Sequence, residues 1–171
     1  MKLILSDFPL GIDINDKNIA YADLSSMKIS PCVGCFGCWV KTPGKCVIRD
    51  DATKIYPLIA QADEVIYISH VFCGGYDIPM KTMLERAIPI QQAFIRIHNN
   101  ETHHLQRDVK PKKALIIAYG DISHEERNIF SELIERNALN MNFIKSDIIF
   151  TEKNEVLKYV YPEVERWKSL S

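Results

Sequence analysis

Two kinds of apolar pattern alternate along this chain. Residues 2–6 (Lys-Leu-Ile-Leu-Ser), 65–69 (Val-Ile-Tyr-Ile-Ser) and 114–119 are short, nearly continuous apolar runs, as expected of strands buried on both faces of a parallel sheet. Residues 19–24 form a weaker run of the same kind, and residues 143–150 a last one interrupted by Lys145, Ser146 and Asp147. Between them apolar residues recur at helical spacing. Ile55, Leu58, Ile59 and Ala62 make one stripe, with Asp50 or Asp51 as its N-cap. Asp77 caps a second, which carries Met80, Met83, Leu84, Ala87 and Ile88 and is ended or kinked by Pro89. Ser123 and Glu126 form a capping box for a third, with Ile129, Phe130, Leu133, Ile134 and Ala138 inward, which makes His124 a surface residue of the first turn. A fourth runs from Asn154 to the end through Leu157, Val160, Tyr161, Val164 and Trp167, broken at Pro162.

Strands alternating with helices predict an α/β protein of three layers around a mainly parallel five-stranded sheet, in one domain over residues 1–171. Two stretches stand outside the alternation. Residues 8–18 hold Pro9, Gly11 and two aspartates without a helical period, so the first crossover is predicted to be a loop with no helix. Residues 99–113 are polar and read as a solvated loop; His103 and His104 within it have no third ligand at metal spacing. In a sheet of this kind ligands bind beyond the carboxyl ends of the strands. That edge is expected to carry the loop Ser69-His70-Val71-Phe72-Cys73-Gly74-Gly75-Tyr76 and the loop Tyr119-Gly120-Asp121.

Cysteine usage changes the picture most. Four of the five cysteines, Cys32, Cys35, Cys38 and Cys46, fall in one segment at the spacing C-x2-C-x2-C-x7-C. Thiolates three residues apart wrap three corners of a cubane iron–sulfur cluster more easily than one tetrahedral zinc, with Cys46 as the fourth corner. Zinc, or a buried thiol-rich turn that ligates nothing, remain alternative readings. A formal charge of −1 gives no electrostatic footprint for nucleic acid or an anionic membrane. No apolar run approaches the length of a spanning helix, and Asp7 interrupts the N-terminal run too early for a signal peptide, so the expected location is the cytoplasm. Thiols there stay reduced, which favours a metal-binding or redox use of the cysteines over disulfides.

The run Pro31-Cys32-x-Gly34-Cys35-x-x-Cys38 to Gly44-x-Cys46-x-Ile48-x-Asp50-Asp51, then Ala62-Asp63, the Ser69 loop, Lys81 and Arg86, resembles the NADPH-dependent FMN reductase family of flavodoxin-like proteins. Within it the cysteine spacing is similar to that of the iron–sulfur flavoproteins, which carry a four-iron cluster beside FMN. The resemblance covers residues 19–140. It implies a sheet order 2-1-3-4-5, FMN at the carboxyl edge against residues 69–76 and 119–121, a 4Fe-4S cluster on the four cysteines, and NADPH as hydride donor. It also implies a homodimer or homotetramer whose subunits jointly enclose the flavin, with a redox protein as a further partner.

This chain departs from the family in three places. Residues 8–18 lack the Ser/Thr/Gly-rich loop and helix N-terminus that cradle the FMN phosphate. The family's Ser-Pro-x-Tyr is Ser69-His70-Val71-Phe72 here, and its Asp-Arg is Glu85-Arg86. Cys73 stands where a family aromatic often lies, against the ring or as a packed thiol. Two functions follow: an FMN-dependent oxidoreductase or electron carrier, and a degenerate module without flavin that binds a metal or a protein. Loss of one helix also bares apolar strand surface, to be covered by another subunit or by the C-terminal segment with Trp167 and Tyr161.

Overall fold

The computed structural model describes residues 1–98 and 100–169. Asn99, Leu170 and Ser171, which fell in the expected polar loop and C-terminal helix, lie outside the described residues. Five strands, β1 (Lys2–Ser6), β2 (Ile19–Asp23), β3 (Glu64–Phe72), β7 (Lys112–Tyr119) and β8 (Phe143–Thr151), form a parallel sheet in the order β2-β1-β3-β7-β8. This is the flavodoxin-like order. Between β3 and β7 lie two antiparallel additions. The two-residue strand β4 (Gly75–Tyr76) turns back on β3, and a hairpin joins β5 (Gln91–His98) to β6 (Glu101–Gln106).

Side chains alternate across each strand, so one sheet builds two cores. Leu3, Leu5, Val65, Tyr67, Ala114 and Ile116 face helices α2 (Ala52–Gln61), α3 (Ile78–Glu85) and α4 (His124–Met141). Ile4, Ile66, Ile68 and Ile117 face the opposite way, toward α5 (Val156–Ser169) and the extended segment that replaces the first crossover helix. In that segment Leu10 is buried, and Phe8, Ile12 and Ile14 pack against the same core. The bared face is therefore covered by the chain itself. Trp167 is buried there as expected, while Tyr161 is exposed.

Several local expectations change. Residues 101–106 of the expected loop form β6 instead: it pairs with β5, and the buried His103 hydrogen-bonds Asn140 and Glu101, pinning the hairpin to α4. Lys112, within the expected polar run, is fully buried and donates to the carbonyls of Lys110 and Met141, the latter at the end of α4. Burial pushes its ammonium down to about 8. Helix α5 continues through Pro162, because Val156, Val160, Val164 and Trp167 are held against the sheet on both sides of it. That burial outweighs the roughly 3 kcal/mol cost of an interior proline. Helix α3 ends at Glu85, before Pro89, and Ile129 of α4 is half exposed, with its branched side chain against Gly74.

Candidate functional site

The cysteine segment is shaped by backbone geometry and by one arginine. Gly34 adopts φ +63, where a side chain would be strained. A Cβ on Gly37 would meet Val47 Cγ1 at 2.9 Å, so only glycine lets the one-turn helix α1 (Gly37–Val40) lie against residue 47. This packing brings Cys32, Cys35, Cys38 and Cys46 to the wall of one small apolar cavity, closed by Phe36, Trp39 and Ile88. Burial, and the neighbouring Cys46, push the Cys38 thiol up.

Arg86, at the end of α3 and 1% exposed, anchors this segment to that helix. Its guanidinium donates to both carboxylate oxygens of Asp50 at 2.7 and 2.9 Å, to Ser30 O at 2.6 Å and to Ile48 O at 3.3 Å. It also donates to Cys46 Sγ at 3.4 Å. Burial opposes the charge, but the Asp50 hydrogen bonds outweigh it and hold the arginine above its ordinary value. Asp50 also caps α2, accepting from Ala52 N–H, and accepts from Ser30 N–H. The arginine's role was not legible in sequence; its place next to Glu85 marked only a family position.

Beside the cysteines lies a larger cavity of about 800 Å³ between α3, α4 and the β5–β6 hairpin. Phe72, Ile78, Leu84, Ile88 and Leu133 supply apolar wall, and Lys81, Gln91, His104, Asn137 and Asn140 supply polar groups. Ile88 lines both cavities. His104 reaches across the same boundary and packs tilted against Trp39, with ring centroids 4.6 Å apart. His104 Nδ1 and Trp39 Nε1 are buried without a hydrogen-bond partner, which leaves two polar groups unsatisfied between the cavities.

The residues expected to contact a cofactor divide between two places. Phe72, Cys73, Gly75 and Tyr76 line the large cavity. Cys73 and Gly74, at φ +49 and +70, form the two-residue turn between β3 and β4, and Cys73 is exposed there. Val71 is buried in the core beneath. Ser69, His70 and Tyr119 instead gather around Asp7, the residue that follows β1. The Asp7 carboxylate accepts from Ser69 Oγ at 3.1 Å, His70 N–H at 2.7 Å and Tyr119 Oη at 2.8 Å. Burial pushes the Asp7 carboxyl up against the opposing pull of these donors. Gly120 lies under the His70 ring, and Asp121 is exposed. Asp7 was read only as a break in an apolar run; an acid at the end of a buried strand was the available signal.

No family model matches the chain. An iron–sulfur flavoprotein of Methanocaldococcus jannaschii is 34% identical over 74 residues, 43% of this chain and 37% of that protein. An iron–sulfur flavoprotein of Archaeoglobus fulgidus is 39% identical over 66 residues, 39% of this chain and 29% of that protein. The chain thus spans about a third of the length of the curated relatives it matches. Among solved structures, an FMN-dependent NADH-azoreductase from Bacillus anthracis in complex with FMN superimposes with a TM-score of 0.56 at 14% identity, over 98% of this chain and 97% of that one. An NAD(P)H:quinone oxidoreductase from Methanothermobacter marburgensis gives 0.56 at 11% identity, over 96% and 93%. The strand order and these likenesses make the chain flavodoxin-like, similar to the NADPH-dependent FMN reductase family and, in sequence, to its iron–sulfur flavoproteins.

Proposed function

We propose that this chain is a flavin-dependent oxidoreductase or electron carrier with a 4Fe-4S cluster on Cys32, Cys35, Cys38 and Cys46. One observation carries the reading: the four cysteines line a single apolar cavity that shares Ile88 with a second cavity large enough for a flavin ring. Among the described residues no three His, Cys, Asp or Glu side chains come close enough to hold one metal ion. Four thiols on the wall of one apolar cavity supply the four corners that a 4Fe-4S cluster needs. A volume of about 800 Å³ with apolar walls and a few polar groups suits a tricyclic ring.

When bound, the flavin would accept a hydride from NAD(P)H and release electrons singly to the cluster. The chain's own residues do the rest. Leu84 and Leu133 would wall the ring and exclude water from it, while Asn137 and Asn140 would offer hydrogen bonds to its polar edge. Arg86, donating to Cys46 Sγ, stabilises the thiolate and raises the potential of a cluster bound there. Iron content after anaerobic reconstitution tests the assignment. Wild type should hold about four irons per chain, and Cys35→Ser should lose most of them with its fold intact by circular dichroism. Equal iron in both would remove Cys35 from the site.

The hairpin points to a homo-oligomer. Phe94, Ile95 and Ile97 on β5 are 69%, 63% and 73% exposed, and Phe72 and Ile78 at the large cavity are exposed as well, which leaves apolar surface for a partner. A second copy would cover them and narrow access to the ring. The double variant Ile95→Glu/Ile97→Glu is expected to sediment as a monomer and wild type as a dimer or tetramer. A monomeric wild type would overturn this. No helix among the described residues is long and apolar enough to cross a membrane.

The second reading, a flavodoxin-like module that binds no flavin, draws on the Asp7 crevice. There the residues do not fit the phosphate end of FMN, since a carboxylate fills the position and no helix N-terminus follows β1.

A further inference from the structure

We propose that Asp7 is this chain's internal substitute for a ligand phosphate, so that the chain recognises a flavin by its ring alone and takes riboflavin as readily as FMN. The inference rests on the flavin reading above. Three groups from the ends of β3 and β7 converge on one carboxylate: the His70 N–H, the Tyr119 hydroxyl and the Ser69 hydroxyl, which also reaches His70 O at 2.9 Å. This is the donor set of an oxyanion site, already filled from within. Asp7 is 8% exposed, and its own N–H donates to Ile68 O at 3.1 Å, which fixes it in register with the sheet.

The approach to this crevice is also occupied. Phe8 packs edge-on against Tyr119 with centroids 5.1 Å apart, and Lys153 Nζ lies 4.7 Å from the Phe8 ring. Two N–H groups of the segment after β1 are committed: Phe8 N–H donates to Ser6 Oγ at 3.3 Å and Leu10 N–H to Tyr21 Oη at 2.9 Å. A phosphate brought here would meet the Asp7 carboxylate, which already holds the Ser69, His70 and Tyr119 donors, with the Lys153 ammonium as the cation beside it. The cation lining the large cavity is Lys81, at its open side, and an exposed ion pair of that kind is worth at most about fivefold in affinity.

Titrating the reconstituted full chain with FMN and with riboflavin, followed by flavin fluorescence, tests the proposal. Dissociation constants within about fivefold of each other are expected. FMN binding tenfold or more tightly would overturn the inference and leave the flavin reading standing; failure of both flavins to bind would sink the flavin reading and this inference together. A second measurement needs no flavin. Asp7→Ala empties the cradle, so added inorganic phosphate should raise the melting temperature of the variant and not of wild type. Phosphate stabilising both equally, or neither, would overturn the assignment of the crevice. If the variant does not fold, the wild-type titration decides alone.

Discussion

Replacing Arg86 by methionine is expected to destabilise the chain by about 3 kcal/mol and to strip it of bound iron. The cost comes from leaving Asp50, whose two oxygens both face the guanidinium, without its counter-ion. Removing one partner of a buried ion pair costs about 3–5 kcal/mol, and the low end applies because Asp50 keeps the N–H groups of Ser30 and Ala52. The melting temperature should fall by about 6–12 °C for a domain of this size. Iron is lost for a second reason: Ser30 O, Ile48 O and Cys46 Sγ are all held by the same guanidinium, so both ends of the cysteine segment come free together. Lysine at this position should rescue little, since it cannot serve five acceptors in a planar fork.

The pair also predicts an acid limb. Burial raises the Asp50 carboxyl, but the Arg86 hydrogen bonds outweigh it and hold it below its ordinary value of 3.8. A depressed acid contributes stability above its unfolded pKa and loses it as the pH falls through its lower folded value. Wild type should therefore lose stability below about pH 4 more steeply than Arg86→Met does. Equal melting temperatures for the two proteins at pH 7 would show that Arg86 does not hold the segment.

Trp167→Ala should be the most damaging single change in the second core, at about 3–5 kcal/mol. Trp167 is 2% exposed and packs in the cluster with Ile4, Ile66, Val160 and Val164, on a face whose first crossover is an extended segment and not a helix. Its Nε1–H donates to Glu64 at 3.1 Å, a residue that Arg166 also grips. Burial raises the Glu64 carboxyl, but Arg166, Lys2 and Trp167 together bring it down to about 2. Differential scanning calorimetry should show a drop of about 10 °C with a smaller unfolding enthalpy. A drop of less than about 3 °C would mean that residues 8–18 cover this face without the C-terminal helix.

The sheet was legible because burial on both faces writes itself as apolar runs, and residues 2–6, 65–69 and 114–119 all became parallel strands. Caps were equally direct: Ser123 and Glu126 make the reciprocal box, and Asp77 caps α3. The hairpin was not, because β5 exposes Phe94, Ile95 and Ile97, and its partner β6 is mostly polar, so neither shows a buried face. Its stability comes from pairing and from the His103 anchor, which only tertiary structure displays. That Cys32, Cys35, Cys38 and Cys46 share one cavity wall could be read from spacing, since C-x2-C-x2-C needs no distant partner. Arg86 and Asp7 could not, because each acts on residues far away in sequence, Arg86 on Cys46 and Asp50, Asp7 on Ser69 and Tyr119.

Reductive titration of the anaerobically reconstituted protein, followed by its visible spectrum, tests the central claim that one chain houses a flavin and a cluster side by side. Flavin bands above a broad iron–sulfur absorption, both bleached by dithionite, with the flavin reoxidising in step with the cluster, are the expected result. A protein that stays colourless after incubation with flavin and after iron–sulfur reconstitution would contradict it.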